Sequence, residues 1–199
     1  VPREDRLDIL KRMQGGDFES VRGVSEKQAL PAEAELLARL GEVSAVKASF
    51  SVEDRGLIDR LLDTIISGQI FDLERFPGED AESLTALSEE SELDRYTYLV
   101  AGCVGEFWTR MCGLHLPALK GWDSDETLAL GMRLGKGLQL VNVLRDIPRD
   151  LRAGRCYLPA QAPKDLLDPG RFSEVQPLYT RLLERAAGHL EAGWRYTLS

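Results

Sequence analysis

The chain has 199 residues, 43% of them hydrophobic and 29% charged, with a formal net charge of −8. That length and apolar content suit one domain with a substantial core and exclude a disordered chain. The acidic balance excludes the basic surface that a nucleic-acid partner requires, so an anionic substrate would have to be held by local cations.

Helical periodicity runs along nearly the whole chain and strand signals are missing. Residues 3–13 read as a short helix closed by Gly15 and Gly16, and Pro31 opens another that ends near Gly41. Residues 51–76 form a longer one, with Ser51 as its cap and Asp54 three positions on. Leu57, Leu61, Ile65 and Ile66 share a side of it, and Pro77-Gly78 stops it. Ser91 and Asp94 repeat the capping signal before a helix that reaches about Leu114. Ser124 caps the next helix, and Pro177 opens the last toward Leu198. The expected architecture is all-α: a single domain over 1–199, with long helices packed about a central cavity.

Gly102, Gly105, Gly131, Gly135 and Gly137 fall inside these helices. Each costs about 1 kcal/mol relative to Ala, which close helix contact or room for a long substrate would offset. No apolar run is long enough to cross a bilayer, and the charged opening VPREDRLDIL is no signal peptide, which predicts a cytoplasmic protein. Cys103, Cys112 and Cys156 are odd in number and share no metal-like spacing, so reduced thiols are expected. His115 and His189 are too few for a histidine-rich metal site.

The richest stretch is QLVNVLRDIPRDLRAGRCYLP, residues 139–159. It places Gln139, Asn142, Asp146 and Asp150 three to four positions apart, so they share one helical face. Leu138, Leu140, Val141, Val143 and Leu144 make the apolar face. On spacing alone such a stripe is more often solvated surface. Here it reaches back into an apolar region, and Arg145 and Arg149 add donors suited to diphosphate oxygens. Two like charges so placed tolerate a cation between them, and Mg²⁺ binds through one or two carboxylates with water and substrate phosphate. Pro148 lies between the acids and predicts a kink before Asp150.

NVLRDIPRDLRAGRCYLP resembles the second aspartate-rich motif of the squalene and phytoene synthase family, the head-to-head prenyl transferases. RYTYLVAGCVGEFW, residues 95–108, resembles that family's tyrosine helix. GQIFDLERF, residues 68–76, is similar to a segment of its phytoene synthase branch. The three matches stand in the family's order, and the wording ELDRYTYLVAGCVG and GRCYLP looks nearer to the squalene branch, including its bacterial members.

The resemblance implies an isoprenoid synthase-type helical bundle and a Mg²⁺-dependent condensation of two prenyl diphosphates. An allylic diphosphate ionises, the double bond of a second molecule attacks the cation, and proton loss closes a cyclopropane. With two farnesyl diphosphates the products would be presqualene diphosphate and, with hydride from NADPH, squalene. With geranylgeranyl diphosphate the product would be phytoene, without a reductant. A non-catalytic helical relative is the reading from another class. Asp146 and Asp150 would hold metal, Gln139 and Asn142 metal-bound water or diphosphate, and Arg145 would neutralise the leaving group. Tyr96 matches the tyrosine the family uses near proton loss. Phe71, Val100, Val104, Phe107, Trp108 and Leu138 would give a dry apolar and aromatic wall around the carbocation, and Asp72 would either face it or be an exposed carboxylate. A hydrocarbon product implies peripheral membrane contact. Oligomeric state has no signature in the sequence.

The family's first aspartate-rich motif has no counterpart where it belongs, before the opening helix, so the chain reads as truncated at both ends and unable to turn over alone. Asp59 and Asp63 fit DxxxD by letter but lie downstream of that place, and Glu4, Asp5 and Asp8 fit no better.

Overall fold

A computed structural model describes residues 1–18 and 30–198, and helices dominate it, as expected from the sequence. The described chain divides into two compact units, Val1–Leu73 and Glu74–Ser199.

In the first unit, α1 (Arg3–Gln14) ends at Gly15 and Gly16, the latter at φ 88°, a left-handed conformation that glycine adopts without strain. Pro31 opens α2 (Pro31–Ala38). This helix stops short of Gly41, because Arg39 leaves helical geometry at ψ 9° and a new helix, α3 (Leu40–Ala48), runs on through Gly41. The Arg39 guanidinium grips both carboxylate oxygens of Glu42, three positions on, which fixes the joint. α4 (Val52–Arg75) begins as its cap predicts, with the Asp54 amide donating to Ser51 Oγ at 3.0 Å. It buries Leu57, Ile66 and Leu73, while Leu61 and Ile65 are half-buried.

The second unit is organised around one long helix. α5 (Glu90–Thr97) runs through a π-helical turn (Tyr98–Gly102) into α6 (Cys103–His115). α7 (Asp125–Arg152) packs against α5, the π turn, α6 and α8 (Phe172–Leu198). Ser124 caps α7, accepting from the Thr127 amide at 3.3 Å, and acids in its first turn and arginines in its last oppose the helix dipole. The helix continues through Pro148 to Arg152, so Asp150 lies on it and not beyond its end. Gly154, at φ 79°, turns the chain into a two-residue strand, β2 (Arg155–Cys156), parallel to β1 (Thr85–Ala86). Strand was not expected anywhere; the pair consists of little more than Thr85 N to Gly154 O at 3.2 Å and Leu87 N to Cys156 O at 3.0 Å, too short for any periodic signal.

Two other boundaries differ from expectation. Ser91 does not cap α5; it lies inside the helix, and Glu92 instead reaches back to accept from the Ser88 amide at 2.6 Å. α8 starts at Phe172, leaving Pro177 inside the helix. One backbone bond is lost at that proline, close to an end that Arg171 clamps through Glu174 at 2.9 Å.

The interior glycines explain how closely α6 and α7 pass. A Cβ at Gly105 would overlap the Gly131 carbonyl, and one at Gly135 would overlap the Ala101 carbonyl. Leu93, Leu140, Val143, Leu144, Leu151, Leu158, Leu182 and Ala186 are buried core residues of this unit. Leu138 and Val141, expected on the apolar face of α7 with them, are exposed instead, because the buried stripe follows 140, 143, 144 and 151.

Candidate functional site

The polar stripe predicted on α7 exists in the second unit. Gln139, Asn142, Asp146 and Asp150 are all partly buried, and Asn142 Nδ2 donates to Gln139 Oε1 at 3.5 Å. The Asp146 and Asp150 side chains are only 19% and 17% exposed, whereas Arg145 and Arg149 are 64% and 75% exposed. The carboxylates therefore sit at the helix flank with the guanidinia folded over them from solvent.

Arg145 makes a two-point bridge to Asp146, Nε to Oδ1 and Nη2 to Oδ2, both at 2.8 Å. Arg149 reaches Asp146 Oδ2 at 3.1 Å and Asp150 Oδ1 at 3.5 Å. The hydrogen bonds from Arg145 hold the Asp146 carboxyl below the usual carboxylate range. Burial pushes Asp150 the other way, with the Asp146 charge adding to it and Arg149 opposing. The two acids thus differ: one is firmly ionised, and the other carries a desolvation cost that a cation would relieve.

The donor set fits a hard divalent ion. Carboxylate oxygens are Mg²⁺ ligands, and the two acids occupy one helix face beside two amide side chains. Among the described residues no three His, Cys, Asp or Glu side chains converge on one point, so an ion here would complete its shell with water and diphosphate oxygens.

Tyr96, at the end of α5, is buried. Its ring stacks on Tyr157 with centroids 4.6 Å apart and planes at 24°, and its hydroxyl donates to the Tyr157 hydroxyl oxygen at 3.4 Å. Phe76 packs edge-on against Tyr157 at 4.9 Å. Tyr157 and Asp150 line the same narrow crevice, together with Val143, Ile147 and Leu151 of α7. The sequence offered Tyr157 only as a letter in GRCYLP. The turn at Gly154 that folds it back onto Tyr96 leaves no local pattern.

The other predicted residues are spread more widely. Val100, Val104 and Phe107 are half-buried along the π turn and α6, while Trp108 and Leu138 are 56% and 53% exposed. Phe71 and Asp72 are half-buried in the first unit. Asp59 and Asp63 line a cleft of about 590 Å³ within that unit, where Lys47 pairs with Asp59 at 2.5 Å.

An ionic network missed by the sequence reading braces the tyrosine helix. Lys136 of α7 is buried and its Nζ lies 2.5 Å from Asp94 Oδ1, two residues before Tyr96. Its stem crosses Gly102, where a Cβ would sit 3.0 Å from Lys136 Cγ. Arg181 and Arg185 of α8 both hold Glu90 at the start of α5. Burial raises the thiols of Cys103 and Cys156 to about 11, so both stay protonated and are poor nucleophiles.

The Squalene/phytoene synthase pattern matches residues 18–199, which includes every residue of the α7 stripe and the Tyr96 pair. The chain belongs to this family. Its members are prenyl transferases that act on prenyl diphosphates. Among individual proteins, the chain is 34% identical over 116 residues to a phytoene synthase of Thermus thermophilus, covering 57% of this chain and 37% of that protein. It is 36% identical over 99 residues to a 15-cis-phytoene synthase of Enterobacter agglomerans, covering 46% of this chain and 31% of that protein. It is 31% identical over 108 residues to a bifunctional lycopene cyclase/phytoene synthase of Arthroderma gypseum, covering 50% and 18%. The matched stretches thus span less than two-fifths of each relative. These relatives carry the phytoene synthase name, where the wording of the motifs leaned toward the squalene branch. Among the described residues no helix is long and apolar enough to cross a membrane.

Proposed function

We propose that this family member acts in the head-to-head condensation of two molecules of geranylgeranyl diphosphate to phytoene, with Mg²⁺ and without a reductant. The observation that carries the chemistry is the α7 stripe: two acids of unequal character on one helix face, with Gln139 and Asn142 behind them and two exposed arginines in front. What favours geranylgeranyl over farnesyl diphosphate is the phytoene synthase name of the relatives.

Asp146 and Asp150 would hold Mg²⁺, which supplies Lewis-acid stabilisation of the charge that develops on a departing diphosphate. Arg145 and Arg149 are exposed and tethered only to neighbouring acids. They can swing from carboxylate to diphosphate where a cation takes over the charge of the two partly buried acids. Gln139 and Asn142 orient polar groups of the diphosphate end. Tyr96, on a helix clamped by Lys136 and by the two arginines on Glu90, holds its hydroxyl where the proton is lost. Val100, Val104 and Phe107, half-buried along the π turn and α6, would line the path of the prenyl chains and keep water from the cation.

The test is diphosphate release by the complete gene product from geranylgeranyl diphosphate. Release that needs Mg²⁺ and stops on adding EDTA is expected. Release unaffected by EDTA would remove metal from the α7 stripe, and no release from either prenyl diphosphate would favour the non-catalytic relative.

A further inference from the structure

We propose that Tyr157 is a positioning residue for Tyr96, fixing the plane of its ring and the direction of its hydroxyl. The inference rests on the reading of Tyr96 as the tyrosine of the proton-loss step, and adds a residue to it.

Three observations converge on Tyr157. Its ring stacks on that of Tyr96 at 4.6 Å, nearly parallel, so rotation of the Tyr96 ring is blocked on that face. Phe76 packs edge-on against Tyr157 at 4.9 Å, and both side chains are almost fully buried, which holds the stack in the core. The Tyr96 hydroxyl donates to the Tyr157 oxygen at 3.4 Å. That is a long bond, of the kind that tightens in a substrate complex. A phenol that gives its hydrogen in one direction presents its lone pairs in the others. Tyr157 thus biases which side of the Tyr96 oxygen can accept a hydrogen bond or a proton.

The same tyrosine lines the crevice that contains Asp150. The loop that follows α7 therefore joins the acid stripe to the tyrosine helix. Gly154 makes this return possible: at φ 79° it turns the chain within one residue, and a Cβ there would lie 2.8 Å from the Asp80 carbonyl. The parallel strand pair then pins Arg155 and Cys156 against Thr85 and Ala86, immediately before Tyr157.

The experiment is a kinetic double-mutant cycle on the complete gene product with Tyr96→Phe, Tyr157→Phe and the double variant. Tyr157→Phe keeps the ring stack and removes only the hydroxyl, so the urea unfolding midpoint should be unchanged. Its kcat should fall on the order of tenfold with KM unchanged, because an interaction realised at the chemical step is lost and binding is not. The double variant should be no slower than Tyr96→Phe alone. Wild-type kcat in Tyr157→Phe, with Tyr96→Phe impaired, would overturn the proposal and leave the Tyr96 reading standing. Wild-type kcat in Tyr96→Phe would overturn that reading itself. Multiplicative losses in the double variant would show that Tyr157 acts independently of Tyr96, which also contradicts the proposal.

Discussion

Asp146 and Asp150 are four residues apart on one helix, yet their surroundings push them in opposite directions. Arg145 stabilises the ionised form of Asp146, while burial disfavours the ionised form of Asp150. Replacing either by Asn in the complete gene product should reduce diphosphate release on the order of 10²-fold or more, with circular dichroism unchanged. Wild-type release in either variant would take that acid out of the site. His189 gives a separate handle on pH. Burial and the charges of Lys136, Arg133 and Arg185 lower its pKa from 6.5, against a weaker opposing effect of Asp94. Its Nδ1 accepts from Arg133 Nε at 3.3 Å, which requires the neutral ring. The neutral form is favoured on folding, so this stabilisation is complete above about pH 6.5 and is lost as pH falls through the lower, folded value. The urea midpoint should therefore fall between pH 7.5 and 5.5, and His189→Gln should flatten that part of the profile. An unchanged slope in the variant would assign the loss to other groups.

At the scale of elements, what holds α6 to α7 is the absence of side chains. Gly105→Ala would drive a methyl into the Gly131 carbonyl, and since both contacts are backbone, neither helix can yield by a rotamer change. A loss of roughly 2 kcal/mol or more is expected from overpacking. Gly188 is the control: it is helical with nothing within 4 Å of a Cβ, so Gly188→Ala should stabilise by about 0.5–1 kcal/mol. Chemical denaturation of both variants checks the pair, and equal effects would contradict the backbone-contact explanation. The sequence announced these close contacts through glycines inside apolar helices. It announced the caps at Ser51 and Ser124 equally well, because a cap is a local hydrogen bond between residues three apart. It misled where other local bonds displaced the expected signal. Arg39 breaks a helix whose stop signal, Gly41, comes later. Pro177, an opening signal by sequence, sits inside its helix, and Ser91 gives way to Glu92 as the residue that satisfies the start of α5. The π turn at Tyr98–Gly102 has no pattern of its own.

Across the whole molecule, the acid stripe and the tyrosine helix could be read before any coordinates because residue order within each motif is specific. Their meeting could not. It depends on Tyr157 returning from the end of α7 to stack on Tyr96, and on Lys136 crossing Gly102 to reach Asp94, contacts between residues 61 and 42 positions apart along the chain. The chain is acidic overall, with a net charge of −8, so on the proposed function a diphosphate would have to be drawn to a local cluster such as Arg145 and Arg149 against the field of the rest. The choice between prenyl chain lengths also belongs to this scale, since it depends on the full length of the apolar path. Mass-spectrometric product analysis of the complete gene product, supplied with Mg²⁺, NADPH and equal amounts of geranylgeranyl and farnesyl diphosphate, tests the proposed function most directly. A C40 hydrocarbon formed equally well without NADPH is the predicted result. A C30 product, or a C40 product that requires the reductant, would contradict it.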